Sequence, residues 1–244
     1  SRLLAFWSDR DPNKPALTHE GITLTREELE ARTNRLARAY QEIGVKADDF
    51  VTIALPNCIE FIEAVFAAWK LGATPQPVSY RLPDHERRQI VALGNPSLVV
   101  GAKPAALPGT VCIEAGFAPD PGLSDAPLPE VTALYWKAMT SGGSTGRPKL
   151  IVSKDPASAD PLEERFGAKL EQVALVPGPL YHNGPFGLGM LSMQMGHHLV
   201  ITSRFDAAQT LEMIDRYRVN FLYLVPTMMQ RMWRLPAAQR DEYD

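Results

Sequence analysis

Residues 140–149 read TSGGSTGRPK, a run of small and hydroxyl-bearing residues that ends in a lysine. The flanking segments, residues 131–139 and 150–152, are apolar and predict two strands. Glycines let backbone N–H groups turn toward one point, hydroxyls add donors, and the lysine adds a positive charge. The run therefore predicts a phosphate-binding loop between two strands, and nucleotide chemistry is the first hypothesis.

The order of residues in this run excludes the two commonest nucleotide-binding motifs. A P-loop places its lysine directly after the last glycine, follows it with serine or threonine, and opens a helix. Here Arg147 and Pro148 separate the last glycine from Lys149, and Leu150 follows. The G-x-G-x-x-G spacing of dinucleotide sites does not match the run either. The alternative without a ligand is a flexible hairpin whose hydroxyl side chains cap turns.

The composition is that of a chain able to form a full core, with no electrostatic reason to bind polyanions. Of 244 residues, 45% are hydrophobic, and the formal net charge is −3, so no nucleic-acid partner is expected. Cys58 and Cys112 fit no disulfide or metal motif and are interpreted as reduced thiols. Nothing resembles a signal peptide or a transmembrane segment, and we expect a cytoplasmic protein.

Hydrophobic periodicity alternates between strands and helices along most of the chain. Thr25 and Glu28 form a capping box ahead of a helix that is expected to end at Gly44. Further strands are predicted at residues 50–55, 74–78, 97–100, 172–176, 198–202 and 220–225, and further helices at residues 59–71, 84–93, 207–217 and 227–235. This alternation is typical of β-α-β units. It predicts an α/β fold of the doubly wound type, with mainly parallel sheets and flanking helices.

Two α/β parts joined by a loop are expected. The first part covers residues 1–113. Residues 114–130 contain four prolines and two glycines and are interpreted as the connecting loop. The second part, residues 131–244, contains the phosphate-loop run and a glycine-rich segment at residues 185–196.

The run at residues 140–149 resembles the phosphate-binding signature of the adenylate-forming superfamily, written T-S-G-[ST]-T-G-x-P-K-G. This superfamily includes acyl-CoA synthetases, adenylation domains of peptide synthetases and luciferases. The run departs from the signature at Gly142, where the family commonly has serine, and at Leu150, where it commonly has glycine. Other segments resemble the family in the same order along the chain, at residues 35–57, 69–83, 179–186 and 219–228. The segment PLYHNGPF at residues 179–186, taken with the loop, looks most like ligases of fatty or bile acids.

The resemblance implies an enzyme that joins a carboxylic acid to AMP, releases pyrophosphate, and passes the acyl group to the thiol of CoA. Because the carboxylate and ATP are both negative, such a site needs hydrogen-bond donors and cations around the phosphates, with Mg²⁺ as a further cofactor. Lys149 is the first predicted catalytic residue. ATP binding is assigned by the resemblance to Ser141, Gly142, Gly143, Ser144, Thr145, Gly146 and Lys149.

The same resemblance places the acid beside residues 182–186. His182 stands where the family has an aromatic residue or a histidine next to the carboxylate, and it is the second predicted catalytic residue. Substrate binding is predicted for His182, Asn183, Gly184, Pro185 and Phe186. The structural alternatives are a histidine hydrogen-bonded within a turn and glycines that serve tight packing of a helix on a sheet.

The protein's own side chains are not predicted to form a metal site. His197 and His198 are adjacent, so on a strand they would face opposite sides and could not bind one ion together. 

The family's later motifs for adenine, ribose, the hinge and the C-terminal lysine are not found in these residues. We therefore expect the N-terminal portion of a larger ligase, inactive on its own. Two other functions stay open: a non-catalytic nucleotide- or acyl-binding module, and the start of an amino-acid adenylation domain. The latter holds its substrate's amino group with an aspartate near the substrate motif, and none occurs at residues 181–183. The sequence leaves the oligomeric state open, a homodimer included.

Overall fold

The computed structural model of the chain describes residues 2–142 and 148–243. Its helices are α1 (Leu3–Arg10), α2 (Arg26–Ile43), α3 (Ile59–Lys70), α4 (Asp84–Gly94), α5 (Asn183–Gln194), α6 (Ala207–Tyr217), α7 (Pro226–Trp233) and α8 (Ala237–Arg240). Its strands are β1 (Pro15–His19), β2 (Ile22–Thr25), β3 (Phe50–Ile53), β4 (Thr74–Pro77), β5 (Leu98–Val100), β6 (Cys112–Ile113), β7 (Ala138–Gly142), β8 (Pro148–Val152), β9 (Val173–Val176), β10 (His198–Ile201) and β11 (Phe221–Leu222). None of the described helices is long and apolar enough to cross a membrane.

The strands form two main sheets and one hairpin. A five-stranded sheet has the order β11-β9-β10-β1-β2 and is parallel except for β2, which pairs antiparallel with β1. A four-stranded sheet has the order β4-β3-β5-β6 and is parallel throughout. Strands β7 and β8 form the antiparallel hairpin. The predicted α/β class with mainly parallel sheets is confirmed.

The five-stranded sheet is assembled from both ends of the sequence. Strand β1 pairs in parallel with β10, and Leu17 lies opposite Leu199. The β1–β2 turn uses Glu20 and Gly21, both at positive φ, which is the backbone of a two-residue hairpin that follows strand twist. The first predicted part, residues 1–113, thus contributes two strands to the sheet of the second.

The predicted capping box begins α2. The hydroxyl of Thr25 accepts from the backbone N–H of Glu28, and the Glu28 carboxylate accepts from the backbone N–H of Thr25 at 2.8 Å. Gly44 ends the helix at φ 115°, a conformation that other residues rarely adopt. Local sequence therefore sets both ends of this helix.

Helix α3 is the centre of the core. Phe61, Ile62, Val65 and Phe66 are all buried, and no residue of this helix is exposed, so other elements enclose it. Its last residue, Lys70, is also buried and donates to Glu30 and Asn34 of α2.

The prediction of a strand at residues 131–139 is wrong for most of these residues, because β7 begins only at Ala138. Backbone groups of the preceding residues bond elsewhere: Trp136 N–H donates to the carbonyl of Asp155, and the carbonyl of Ala133 accepts from Ala157. Ala133 is buried and Trp136 packs against the core, whereas Leu134 is exposed, so the apolar residues of this segment do not mark a sheet strand. The expected strand at residues 220–225 is likewise reduced to β11.

Candidate active site

The β7–β8 hairpin carries the predicted phosphate loop. Its register sets Ser141 opposite Lys149 and Gly142 opposite Pro148, so the described residues on either side of the run's centre face each other at one end of the hairpin. Directly opposed residues have Cβ atoms about 5 Å apart, which brings the Ser141 and Lys149 side chains onto one face. Lys149 is exposed. The other predicted phosphate ligands, Gly143, Ser144, Thr145 and Gly146, lie outside the described residues.

One buried hydroxyl beside the loop has no hydrogen-bond partner among the described residues. Thr140 Oγ1 is shielded from solvent and receives no donor or acceptor there. A buried hydroxyl without a partner costs free energy, so such groups often mark a binding site. Its place directly before Ser141 fits a hairpin that completes its hydrogen bonds with a polar ligand.

A buried asparagine fixes the loop that leads to the substrate motif. Asn57 Nδ2 donates to the carbonyls of Gly178 at 2.8 Å and Thr202 at 3.0 Å. Its Oδ1 accepts from the backbone N–H of Leu180 at 2.8 Å. Asn57 therefore clamps the chain between β9 and α5 and determines where His182 begins the helix.

His182 lies at the N-terminus of α5 with an exposed side chain. Its backbone N–H donates to Pro179, and its carbonyl accepts from the N–H of Phe186, each at 3.0 Å. The imidazole makes no capping hydrogen bond and lies 4.6 Å from the Tyr181 ring. The backbone is thus anchored while the ring nitrogens remain accessible to a ligand.

The remaining substrate-motif residues occupy three different environments. Asn183 is exposed at the start of α5, whereas Pro185 and Phe186 are buried. Gly184 faces Tyr223, and a Cβ at Gly184 would lie 2.1 Å from the tyrosine oxygen, so this position admits no larger residue without moving Tyr223. Phe186 belongs to the core: its ring stacks on Trp136 at 5.9 Å. The side chains of Asn183 and Phe186 thus face different surroundings although both belong to one motif.

The hairpin and the substrate motif meet at Lys137, directly before β7. Its ammonium donates to Asn183 Oδ1 and lies 3.9 Å from the centroid of the Trp136 ring. Burial lowers the pKa of Lys137 to about 8. The segment that leads to the phosphate loop and the helix that carries the acid motif are therefore in direct contact.

A cavity of about 1000 Å³ opens at this contact. Its walls come from α1, α3, α5 and the segments around residues 130–137 and 155–166. Apolar and aromatic side chains supply much of the lining, among them Phe6, Phe66, Trp69, Trp136, Leu188 and Met190. The volume and the apolar walls are typical of small-molecule sites.

The other histidines and the cysteines lie apart from this site. His198 bonds to Thr18 and His197 to the carbonyl of Lys169. Cys58 and Cys112 are free thiols. Within residues 2–142 and 148–243, no three His, Cys, Asp or Glu side chains are grouped so as to hold a metal.

Sequence reasoning missed Lys137, Asn57 and Tyr223 as determinants of the site. Lys137 is a lone charge inside the apolar stretch from Ala133 to Met139, and this interruption is a signal that the sequence does offer. Nothing local indicates that Tyr223 covers Gly184, since that contact depends on how β11 pairs with β9.

The chain is similar to known proteins in sequence and in fold. The chain is 30% identical to a feruloyl-CoA synthase of an Amycolatopsis species over 247 residues, covering 90% of this chain and 47% of the relative. It is 26% identical to the fatty acid–[acyl-carrier-protein] ligase ScoC of Streptomyces coeruleorubidus, covering 98% of this chain and 50% of the relative. The crystal structure of the N-terminal domain of FACL13 from Mycobacterium tuberculosis shares the fold, with a TM-score of 0.82 at 21% identity, covering 99% of this chain and 66% of that chain.

These matches extend over nearly all of the chain. The chain spans about half the length of the curated relatives it matches. A family model described as AMP-binding enzyme matches residues 4–244, and the chain therefore belongs to the AMP-binding enzyme family.

Proposed function

We propose that this chain forms the phosphate-binding and acid-binding walls of an ATP-dependent acid–CoA ligase. The enzyme would activate an apolar carboxylic acid, of the fatty-acid or bile-acid kind, as an acyl-AMP and transfer the acyl group to CoA. The proposal is supported by family membership and by relatives named as a CoA synthase and a fatty-acid ligase.

One observation carries the proposal: the hairpin of the phosphate loop and the helix of the acid motif join through Lys137 and Asn183 at the rim of an apolar cavity. A ligase needs ATP phosphates and an apolar acid held next to each other, because its first step joins the two. A phosphate loop unconnected to an acid pocket would instead favour a non-catalytic nucleotide-binding module.

The proposed roles follow from charge and accessibility. Lys149 and Ser141 face one side of the hairpin, where a cation and a hydroxyl stabilise negative charge on departing pyrophosphate. His182, with its ring accessible at the start of α5, would orient the acid's carboxylate. Mg²⁺ would neutralise phosphate charge in such an enzyme; the described residues contain no cluster of three His, Cys, Asp or Glu side chains, and we assign it no step.

The proposal is tested by ATP–pyrophosphate exchange with the full-length protein across a panel of carboxylic acids. Lys149→Ala should lower the exchange rate by about tenfold to a hundredfold, the loss expected when a charged contact made in the transition state is removed. Lys154→Ala is the matched control, since Lys154 is an exposed lysine shortly after β8. Exchange that responds equally to both changes, or no exchange with any acid, would overturn the assignment.

The acyl acceptor has a second candidate. The relative ScoC is named as a ligase of an acyl-carrier protein, so a carrier-protein thiol could replace the thiol of CoA. Supplying CoA or a phosphopantetheinylated carrier protein to the acyl-AMP complex would distinguish the two acceptors. Amino acids in the exchange panel would test the remaining alternative, an amino-acid adenylation domain.

A further inference from the structure

The cavity beside the acid motif has an ammonium at its rim that has no carboxylate partner within residues 2–142 and 148–243. No Asp or Glu oxygen of the described residues forms an ion pair with Lys137, whose Nζ donates to the neutral amide of Asn183. Glu130 and Asp155 also line the cavity, but neither reaches this ammonium. Burial lowers the pKa of Lys137 to about 8, so at neutral pH most of these side chains still carry the charge.

Lys137 directly precedes β7, and the described part of the phosphate-loop run ends at Gly142, at the other end of this strand. Strand β7 separates Lys137 from Gly142 by five residues, which is about 17 Å at the usual rise of a strand. The reacting carboxylate of the acid has to reach the α-phosphate of a nucleotide held at that end of the strand. An anion on Lys137 is therefore a different group from the one that reacts.

The neighbours of Lys137 suit a planar, hydrogen-bonding anion. Because Asn183 accepts through Oδ1, its Nδ2 donors point away from the lysine and are available to a second oxygen. The Lys137 ammonium lies over the face of the Trp136 ring. The indole Nε1 of Trp69 donates to the carbonyl of Trp136 at 2.9 Å, and this hydrogen bond fixes the backbone at Trp136. The ammonium, the amide and the aromatic wall are thus preorganised before a ligand arrives.

We propose that Lys137 and Asn183 bind a second acidic group of the substrate, so that the preferred acid is a dicarboxylate with an apolar body. The apolar body would lie along the aromatic walls of the cavity, with one carboxylate at Lys137 and the other free to react. This inference rests on the proposed ligase function and specifies its substrate class.

Binding to the 244-residue chain tests the anion site without requiring catalysis. Trp69 and Trp136 line the cavity, so tryptophan fluorescence can report titration with decanol, decanoate and decanedioate. We expect both acids to bind at least tenfold more tightly than the alcohol. Lys137→Met should abolish that difference, Lys137→Arg should retain it, and Lys154→Met is the control. Equal affinity of Lys137→Met and the unchanged chain for decanoate would overturn the proposal.

Exchange by the full-length protein tests the second carboxylate. The ratio of kcat/KM for decanedioate to that for decanoate should be about ten or more, and Lys137→Met should bring it close to one. A melting temperature within a few degrees of the unchanged protein would show that this variant is folded. If the ratio of the two kcat/KM values is the same in Lys137→Met as in the unchanged protein, the proposed anion site is refuted. If no acid supports exchange, the proposed ligase function is refuted instead.

Discussion

Replacing Asn57 should cost stability through three hydrogen bonds made by one buried side chain. Asn57→Ala removes the bonds to the carbonyls of Gly178 and Thr202 and to the N–H of Leu180. At about 1 kcal/mol net for each bond, the free energy of unfolding should fall by about 3 kcal/mol. In a chain of this size that loss lowers the melting temperature by roughly 6–12 °C.

Asn57→Asp separates the role of the amide donors from the role of side-chain shape. The carboxylate has nearly the same shape and can still accept from the Leu180 N–H, but it faces the carbonyl oxygens of Gly178 and Thr202 without donors. We therefore expect Asp to destabilise at least as much as Ala.

Thermal unfolding followed by far-UV circular dichroism measures these effects. Asn13→Ala, at an exposed turn position, is the control and should change stability by less than about 0.5 kcal/mol. A melting temperature for Asn57→Asp equal to that of the unchanged chain would refute the reasoning, because it would mean that the amide donors contribute nothing. In the full-length protein, exchange activity should fall together with stability, since the clamped loop positions His182.

Two further predictions concern buried charge. Lys70→Met leaves the Glu30 carboxylate buried without its cation and should lower the free energy of unfolding, measured by urea titration, by about 3–5 kcal/mol. The double variant that also carries Glu30→Gln should recover most of this stability. Burial lowers the pKa of His198 to about 4 in the folded chain. As the pH falls below about 6.5, this histidine becomes protonated in the unfolded chain but stays neutral in the folded chain. Stability should therefore fall between about pH 6.5 and pH 4. His198→Gln should reduce this fall in melting temperature without abolishing it, because burial also lowers the pKa of His19 and His197; an unchanged profile would contradict the prediction.

Elements with long periodic patterns could be predicted from the sequence because local residues specify them. Helix α6 occupies the predicted residues 207–217, and the capping box of α2 is formed as expected. The β1–β2 hairpin was not predicted: its turn residues Glu20 and Gly21 both have positive φ, a conformation that glutamate rarely adopts. Its partner, β10, lies about 180 residues away, and pairing at that separation leaves no mark in a short window of sequence.

The residues of the candidate site also differ in how well the sequence predicts them. Residues inside a contiguous motif, such as Lys149 and His182, could be predicted from that motif, and their roles stay predictions. The charge of Lys137 in an apolar stretch is a signal in the sequence, but its partner could not be predicted, because the contact with Asn183 joins positions 46 residues apart. Phe186 shows the opposite problem: it belongs to the motif, yet its ring is fully buried in the core.

Helix α3 explains how two distant segments keep the geometry of one site. From this helix, Trp69 donates to the carbonyl of Trp136 ahead of the hairpin, and Phe61 packs edge-on against Phe186 in α5, with ring centroids 6.4 Å apart. Because α3 is buried and close-packed, a displacement of it would move both walls together instead of sliding one past the other. The spacing between β7 and the acid cavity is therefore set by the core, and a substitution at Phe61, which does not line the cavity, should alter acid selectivity without touching a ligand.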